Sequence, residues 1–147
     1  MHEFLQYRAR HVMTTTLKTI EPSASLAQAE ALFDQHDFNA LPVVEPAGRL
    51  VGILTKLDLL AAFAFTPASI IPQYEDVMRS QVAEKMTREL VTIGPDLPLT
   101  RVLQELVETR NKSLPVLDGT RLVGVVARED VLRALRLAAA GEHPQGA

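Results

Sequence analysis

The chain has 147 residues and a formal net charge of −3, from 15 Lys and Arg against 18 Asp and Glu. A negative chain has no general electrostatic attraction to nucleic acid or to an anionic membrane, so neither is an expected partner. There is no cysteine, which excludes disulfides and thiol catalysis and is typical of a reducing compartment. Because the first residues also lack the basic and long apolar stretches of a signal peptide, we expect a cytoplasmic protein.

A two-fold internal repeat organises the sequence. Leu50–Leu60 is an apolar stretch that runs straight into a helical pattern, and Leu122–Leu132 is a second copy of it. The similarity extends over about 12–63 and 85–137, which we predict to be two related domains. The other residues are predicted as an N-terminal segment that packs as a short helix (1–11), a connector (64–84) with a short helix over Tyr74–Val82, and a flexible tail (138–147).

Each repeat begins with a short strand that is followed by an amphipathic helix. The strand stops at a proline, Pro22 or Pro95, because proline has no N–H to donate to a sheet. The predicted strands are Leu17–Glu21 and Leu90–Ile93, and the helices are Leu26–His36, begun by Ser23 or Ser25, and Leu99–Thr109, begun by Asp96 with Pro98.

Two further strands and a second helix complete each repeat. In the second repeat the Asp118-Gly119 pair suits the positive φ of a hairpin turn. Gly52 lies inside the last strand of the first repeat, where it allows another backbone to approach closely. The order β-α-β-β-α predicts an α+β fold in which two pseudo-twofold-related units pack through their sheets. The predicted hairpin strands are Ala40–Val44 with Leu50–Leu54, and Ser113–Leu117 with the start of Leu122–Leu132.

Both repeats place an aspartate, Asp58 or Asp130, three residues into the helix that follows the last strand. This end of a helix attracts anions, because its first N–H groups are unpaired and its dipole is positive there. A phosphate on the N–H groups and ribose hydroxyls on the aspartate would bind a nucleotide. Thr55 and Asp58 also match a helix capping box, and the two roles can coexist. In the second repeat Ala127 replaces the threonine, so that helix has no side-chain cap.

The motifs M-T, T-I-x-P, L-P-V and G-h-h-x-x-x-D, where h is apolar, occur in this order and at matching spacing in both repeats. Over residues 12–135 the chain resembles a tandem pair of cystathionine-β-synthase (CBS) domains, a Bateman module. The resemblance implies a stand-alone regulatory module that is not an enzyme and requires no cofactor. It implies clefts between the repeats for adenosine-containing ligands, namely AMP, ADP, ATP, S-adenosylmethionine or NAD-type molecules. It also implies a homodimer, since such modules commonly pair through their second helices, and an unidentified protein that is regulated.

The resemblance further implies which residues border the clefts. Main-chain groups around T-I and L-P-V would contact adenine, threonine hydroxyls and cations would contact phosphate, and the aspartates would bind ribose. The plain alternatives are strand-edge threonines, core strand residues and solvated charges, the last applying also to Arg110. The implied ligand-binding residues are Thr19, Ile20, Leu41, Pro42, Val43, Thr55, Lys56 and Asp58 in the first repeat, and Thr92, Ile93, Lys112, Leu114, Pro115, Val116, Arg128 and Asp130 in the second.

Ala127 makes the two implied sites unequal, because an alanine cannot hydrogen-bond a phosphate. Asp130 and the bare N–H groups remain, with Arg128 as a cation, so the family pattern predicts a second site that is weaker or differently selective. A dimer is also predicted on physical grounds, because the second helices are too apolar for lone surface helices over Leu59–Phe63 and Val131–Ala138.

The main alternative is a ligand-free module that regulates a partner enzyme or transporter through protein contacts. Catalysis is not expected, because the sequence has no phosphate-binding loop, dinucleotide fingerprint, nucleophile elbow or catalytic cysteine. No metal is expected either, since the four histidines lack metal-ligand spacing.

Overall fold

A computed structural model of the chain describes residues 2–36, 40–64 and 73–142. Part of the predicted connector (65–72) and half of the predicted tail (143–147) lie outside the described residues. The elements, in chain order, are a 3₁₀ helix His2–Gln6, α1 Ala9–Val12, α2 Leu26–Gln35, β1 Ala40–Val44, β2 Leu50–Thr55, α3 Lys56–Ala61, α4 Tyr74–Arg79, α5 Val82–Lys85, α6 Leu99–Thr109, β3 Ser113–Asp118, β4 Arg121–Ala127 and α7 Arg128–Ala139.

The elements form two compact units. The central unit comprises 18–90, and the terminal unit comprises 1–17 with 91–147. Each holds one two-stranded antiparallel sheet, β1–β2 in the central unit and β3–β4 in the terminal unit. Helices and strands alternate in both, so the predicted α+β class is confirmed.

The sheet of the central unit is widened by a single residue on each side. Ile20 pairs in parallel with Val43, and Thr87 pairs antiparallel with Ile53. The predicted strand Leu17–Glu21 is therefore reduced to one bridging residue, because Pro22 has no N–H and the chain turns there. The core is formed by apolar side chains that include the fully buried Leu26, Leu41, Val43, Leu54 and Val82.

The terminal unit repeats this arrangement. Ile93 pairs in parallel with Val116, and Thr14 pairs antiparallel with Val125, so the predicted strand Leu90–Ile93 is also only one bridging residue. The N-terminal segment is part of this core, where Phe4, Tyr7 and Ala9 are buried. Instead of one helix over 1–11 it forms the 3₁₀ helix and the single turn α1, and it packs with Leu99, Val102, Leu114, Val116 and Val126.

The compact units do not coincide with the sequence repeats. Thr14, from the start of the first repeat, lies beside β4, and Thr87, from the start of the second, lies beside β2. Each Met-Thr pair therefore completes the sheet built from the other repeat. Local sequence patterns predict strands and helices, but they carry no signal for this exchange.

Gly52 and Gly124 permit the exchange, which confirms the expectation of a close approach at Gly52. A Cβ on Gly52 would lie 2.6 Å from Met86 Sδ and 3.0 Å from the Thr87 carbonyl oxygen. A Cβ on Gly124 would lie 2.5 Å from Met13 Sδ. These distances are below normal contact, so a side chain at either position would displace the Met-Thr segment.

Both predicted helix starts are correct, but a side chain caps only one of the two helices. Ser25 caps α2, since its hydroxyl accepts the Gln28 N–H at 3.2 Å. In α6 the N-cap is Pro98, which has no side-chain acceptor, and Asp96 instead forms an ion pair with Arg10. The N–H of Leu99 donates to the Tyr7 carbonyl at 2.8 Å, so the N-terminal segment satisfies part of this helix end.

Candidate ligand-binding site

The candidate site in the central unit is built at the junction of β2 and α3. Thr55 is the N-cap of α3, and its hydroxyl accepts the Asp58 N–H at 3.0 Å. The Asp58 carboxylate accepts the Thr55 N–H at 2.9 Å through Oδ2. These two bonds form the capping box that the sequence offered as the plain interpretation of this motif.

A third residue also holds the Asp58 carboxylate. The Thr87 hydroxyl donates to Oδ1 and Oδ2, both at 3.1 Å. The main chain of Thr87 is fixed by a pair of hydrogen bonds with Ile53, at 2.9 and 2.8 Å. Sequence reasoning missed Thr87 as a site residue. The repeated Met-Thr pair and the repeated glycines were the available signal, but only the structure shows that they meet.

The geometry leaves the Asp58 carboxylate able to bind more. An ionised carboxylate offers about four acceptor positions on its two oxygens. The Thr55 N–H and the Thr87 hydroxyl make three contacts with them, two with Oδ2 and one with Oδ1. Asp58 is half-buried and Lys56 beside it is exposed. The arrangement can therefore accept at least one further hydroxyl donor at Oδ1, such as a ribose hydroxyl, next to an exposed cation.

The T-I and L-P-V residues of the central unit meet along the sheet. The Ile20 N–H donates to the Pro42 carbonyl at 3.0 Å, and the Ile20 carbonyl accepts the Val44 N–H at 2.8 Å. Leu41 and Val43 are fully buried, so their side chains are core and only their main chain could contact a ligand. Thr19 is exposed at this edge.

Thr19 and Ile20 border an open hollow of about 580 Å³ against helix α2. Its other lining residues include Gln28, Leu32 and Gln35, and they do not include Thr55, Lys56 or Asp58. Of the predicted site residues of the central unit, Thr19 and Ile20 are therefore the ones that line this hollow.

The equivalent aspartate of the terminal unit has different partners. The Asp130 Oδ2 accepts the Ala127 N–H at 2.8 Å, which keeps half of a capping box. Its Oδ1 accepts from Arg133 Nη1 at 3.2 Å, and the residue is only 7% exposed. Ala127 has no hydroxyl, as expected from the sequence. Arg133 was not anticipated, because its position three residues further along α7 reads as an ordinary exposed charge.

Arg128 binds protein carbonyls in the terminal unit. Its Nε donates to the Asn111 carbonyl at 3.0 Å and its Nη2 to the Arg110 carbonyl at 2.6 Å. Its N–H donates to the Lys112 carbonyl at 3.0 Å. These bonds hold the loop where Arg110 adopts a left-handed conformation with φ of 60°. The structure therefore commits Arg128 to the main chain of the loop that carries the other two cations, Arg110 and Lys112.

The remaining predicted residues of the terminal unit follow the pattern of the central unit. The Ile93 N–H donates to the Pro115 carbonyl at 3.0 Å, Thr92 is exposed, and Leu114 and Val116 are fully buried. Pro115 is buried as well. That these residues contact a ligand stays a prediction. For the buried residues, only main-chain atoms could make the contact.

Neither a metal-ion cluster nor a membrane-spanning helix is present in the described part of the chain. Over 2–36, 40–64 and 73–142 no group of three or more His, Asp or Glu side chains could hold a metal ion. Within the same ranges no helix combines the length and apolar character needed to cross a membrane.

The comparison with protein families decides the membership of this chain. The CBS domain model matches residues 9–64 and 76–137, which together cover most of the sequence. The chain belongs to the CBS domain family. This confirms the resemblance that the repeated motifs indicated, and the two matched segments correspond to the two repeats.

Individual relatives and solved structures are also CBS-domain proteins. The CBS domain-containing protein YhcV of Bacillus subtilis (strain 168) is 34% identical over 122 residues, 83% of this chain and 81% of that protein. The crystal structure of CBSX2 in complex with AMP matches with a TM-score of 0.76 and 25% identity, over 90% of this chain and 98% of that one. The CBS domain pair of protein MJ0100, in complex with 5′-methylthioadenosine and S-adenosyl-L-methionine, matches with a TM-score of 0.68 and 26% identity, over 88% and 96%.

Other curated relatives are enzymes and are much longer. The chain spans between 13% and 26% of their length. The similarity to these enzymes is therefore limited to a part of each, and their activities are not carried over.

Proposed function

We propose that this chain is a regulatory module that binds an adenosine-containing ligand and catalyses no reaction itself. The observation that carries the proposal is the Asp58 carboxylate, which the chain holds at a strand–helix junction with acceptor capacity left over. Two similar structures contain adenosine compounds, AMP in one and 5′-methylthioadenosine with S-adenosyl-L-methionine in the other. Adenosine is the part that these ligands share, so recognition is expected to centre on ribose and adenine.

In this proposal the two aspartates bind ribose, and phosphate or another 5′ substituent lies near Thr55 and Lys56 in the central unit. Charge-assisted hydrogen bonds to a carboxylate are stronger than neutral ones, which suits the vicinal hydroxyls of ribose. Adenine is assigned to the main chain around T-I and L-P-V in both repeats. The terminal unit is proposed as the weaker site, because Ala127 supplies no hydroxyl and Arg128 is committed to protein carbonyls.

The proposal is tested by finding what the purified protein carries and what stabilises it. The protein is purified gently and denatured, and released small molecules are identified by mass spectrometry. Separately, its thermal unfolding is followed with AMP, ADP, ATP, S-adenosylmethionine and NAD. A ligand at 100 times its Kd stabilises the native state by about 2.7 kcal/mol, which is a readily measured shift. Stabilisation by at least one adenosine compound and not by GMP supports the proposal, and no stabilisation by any of them contradicts it.

A homodimer is proposed from the apolar side chains that the helices leave exposed. Leu57 and Leu60 on α3 are 72% and 70% exposed, and Leu132 on α7 is 62% exposed. Exposed leucines on these helices fit the prediction that they bury a second face, and a second copy of the chain is the proposed occupant. On α7 the side chains of Val131, Ala134 and Ala138 are buried within the terminal unit, so Leu132 belongs to a different, exposed face of that helix.

Light scattering at micromolar concentration tests the dimer. Leu60→Glu is expected to give a monomer, because a carboxylate would be buried in the contact. Val107→Glu is the matched control, since Val107 on α6 is equally exposed at 68% and lies outside these helices. A wild-type monomer, or a Leu60→Glu dimer, would contradict the proposal. A dimer that binds no adenosine compound would instead favour the ligand-free protein-interaction module.

A further inference from the structure

The residue that fixes the Asp58 carboxylate lies 29 positions away in the sequence. The Thr87 hydroxyl bridges both carboxylate oxygens, at 3.1 Å each, and so defines the plane and rotation of the carboxylate. The Thr55 N–H contacts only Oδ2, so without Thr87 the carboxylate group could turn about that single contact. The orientation of the proposed ribose acceptor therefore depends on Thr87.

The chain fixes Thr87 itself from two sides. Its N–H and carbonyl are both bonded to Ile53, at 2.8 and 2.9 Å. Met86, just before it, is 8% exposed and packs against Gly52, which has no side chain to push it away. The hydroxyl thus projects from a rigid backbone, so little conformational entropy is lost when it holds the carboxylate.

The terminal unit offers a natural comparison at the same register. Thr14 is bonded to Val125 by main-chain hydrogen bonds of 2.9 and 3.0 Å, as Thr87 is to Ile53. Among the described residues, however, the partners of the Asp130 carboxylate are Ala127 and Arg133. A neutral hydroxyl holds one aspartate and a cation holds the other. The cation competes with a ligand for negative charge on the carboxylate, whereas the hydroxyl leaves that charge available.

We propose that Thr87 is the positioning residue of the Asp58 carboxylate, and that Arg133 holds the Asp130 carboxylate instead. Thr87 orients the Asp58 carboxylate for a ribose hydroxyl without adding a positive charge beside it, so the central-unit site is the one with high affinity. The inference rests on the proposed function and adds to it the residue, from the other sequence repeat, that sets the affinity of this site.

Calorimetric titration of AMP into the full chain tests this role with three substitutions at position 87. Thr87→Val keeps the shape and removes the hydroxyl, and it is expected to weaken the binding of AMP roughly three- to tenfold, as for the loss of one hydrogen bond of ordinary net strength. Thr87→Ala removes the hydroxyl with less bulk and is expected to do the same. Thr87→Ser restores the hydroxyl and is expected to bind within about twofold of wild type.

Thr14→Val is the matched control, since it makes the same change at the same register of the terminal unit. It is expected to leave the high-affinity binding of AMP unchanged. The melting temperature without ligand is recorded for every variant. If Thr87 were purely structural, Thr87→Val and Thr87→Ser would both have a lower melting temperature, and the two variants would bind AMP with the same affinity.

Each outcome bears on a different claim. Wild-type affinity in Thr87→Val and Thr87→Ala overturns the positioning role and leaves the proposed function standing. Equal weakening in Thr87→Ser and Thr87→Val also overturns it, since the hydroxyl would not be the cause. If the wild-type chain binds no AMP or other adenosine compound, the proposed function fails and the positioning role falls with it.

Discussion

Asp58 and Asp130 hold equivalent positions in the two repeats, yet their carboxylates have different partners. Asp58 is half-buried and is held by an N–H and two neutral hydroxyl contacts from Thr87. Asp130 is 7% exposed and is held by an N–H and the Arg133 guanidinium. The same motif thus yields one carboxylate without a cationic partner among the described residues and one that is paired with an arginine. A repeated motif predicts a repeated position, but the neighbours decide what that position can bind.

The largest difference between the units is expected from removing each aspartate in turn. Asp58→Ala should weaken AMP binding by at least tenfold, because at least one charge-assisted hydrogen bond to ribose is lost, at about 1.5–3 kcal/mol. Asp130→Ala should change the affinity of the tighter site by less than about twofold. Calorimetry with AMP on the two variants measures both effects. The ranking is inverted if Asp130→Ala loses binding while Asp58→Ala behaves as wild type.

The next comparison concerns a feature in which the two units agree. Gly52→Ala and Gly124→Ala should each destabilise the fold by about 1–3 kcal/mol, because the new Cβ overlaps a methionine side chain and approaches a main-chain carbonyl. Gly94→Ala is the control, since a Cβ there meets nothing within 4 Å. Urea unfolding measures the differences. Gly52→Ala should also weaken AMP binding, since it displaces the Thr87 segment.

Two results would contradict the predictions for Gly52→Ala. If Gly52→Ala unfolds at the same urea concentration as Gly94→Ala, the close packing of the Met-Thr segment against β2 is not present in solution. If Gly52→Ala is destabilised but binds AMP as wild type does, Thr87 does not transmit the displacement to the carboxylate.

A smaller effect is expected from making the second repeat resemble the first. Ala127→Thr should stabilise the chain by about 1 kcal/mol, because the new hydroxyl can accept the Asp130 N–H as Thr55 accepts that of Asp58. Thr55→Ala is the reciprocal change and should cost about the same. Thermal unfolding of both variants measures the effect, and a destabilised Ala127→Thr would show that the strand end has no room for the side chain.

The smallest effect concerns the terminal unit alone. Burial lowers the pKa of His11, with the positive charges of Arg10 and Arg8 adding to the shift. His11 Nδ1 accepts the Arg8 N–H at 2.9 Å, which requires an unprotonated nitrogen. Because the pKa is lower in the folded state than in the unfolded state, the contribution of His11 is present above about pH 6.5 and is lost as the pH falls through the folded value.

The pH dependence is measured by urea unfolding between about pH 7.5 and 5, in wild type and in His11→Asn. The wild type should lose more stability than the variant over this interval. Parallel curves for the two proteins would contradict a role for the titration of His11.

Elements whose pattern is local were predicted well from the sequence. The apolar spacing of Leu99, Val102 and Leu106 predicted α6 with the bounds that the structure has, and all three side chains are buried. The strand Ala40–Val44 also has the predicted bounds. In both cases the side chains that face the core are close together in the sequence, so periodicity reports directly on burial.

The parts that depend on distant residues were not predictable in this way. The start of α6 relies on the Tyr7 carbonyl and not on Asp96, and no local pattern encodes that contact. The hydrogen bonds of Arg128 depend on the conformation of the preceding loop at Arg110. Thr87 was visible only as half of a repeated Met-Thr pair. Its role depends on an exchange of segments between the repeats, which alignment of the repeats does not reveal.

The most direct test of the central claim is the crystal structure of this chain grown with AMP. The account predicts that the ribose hydroxyls of AMP lie within hydrogen-bond distance of the Asp58 carboxylate, while the Thr87 hydroxyl keeps its contacts with both carboxylate oxygens. AMP bound with its ribose on Asp130 and the Asp58 carboxylate without a ligand contact would contradict the ranking of the two sites. AMP bound with neither aspartate on its ribose would contradict the account of the ligand-binding site itself.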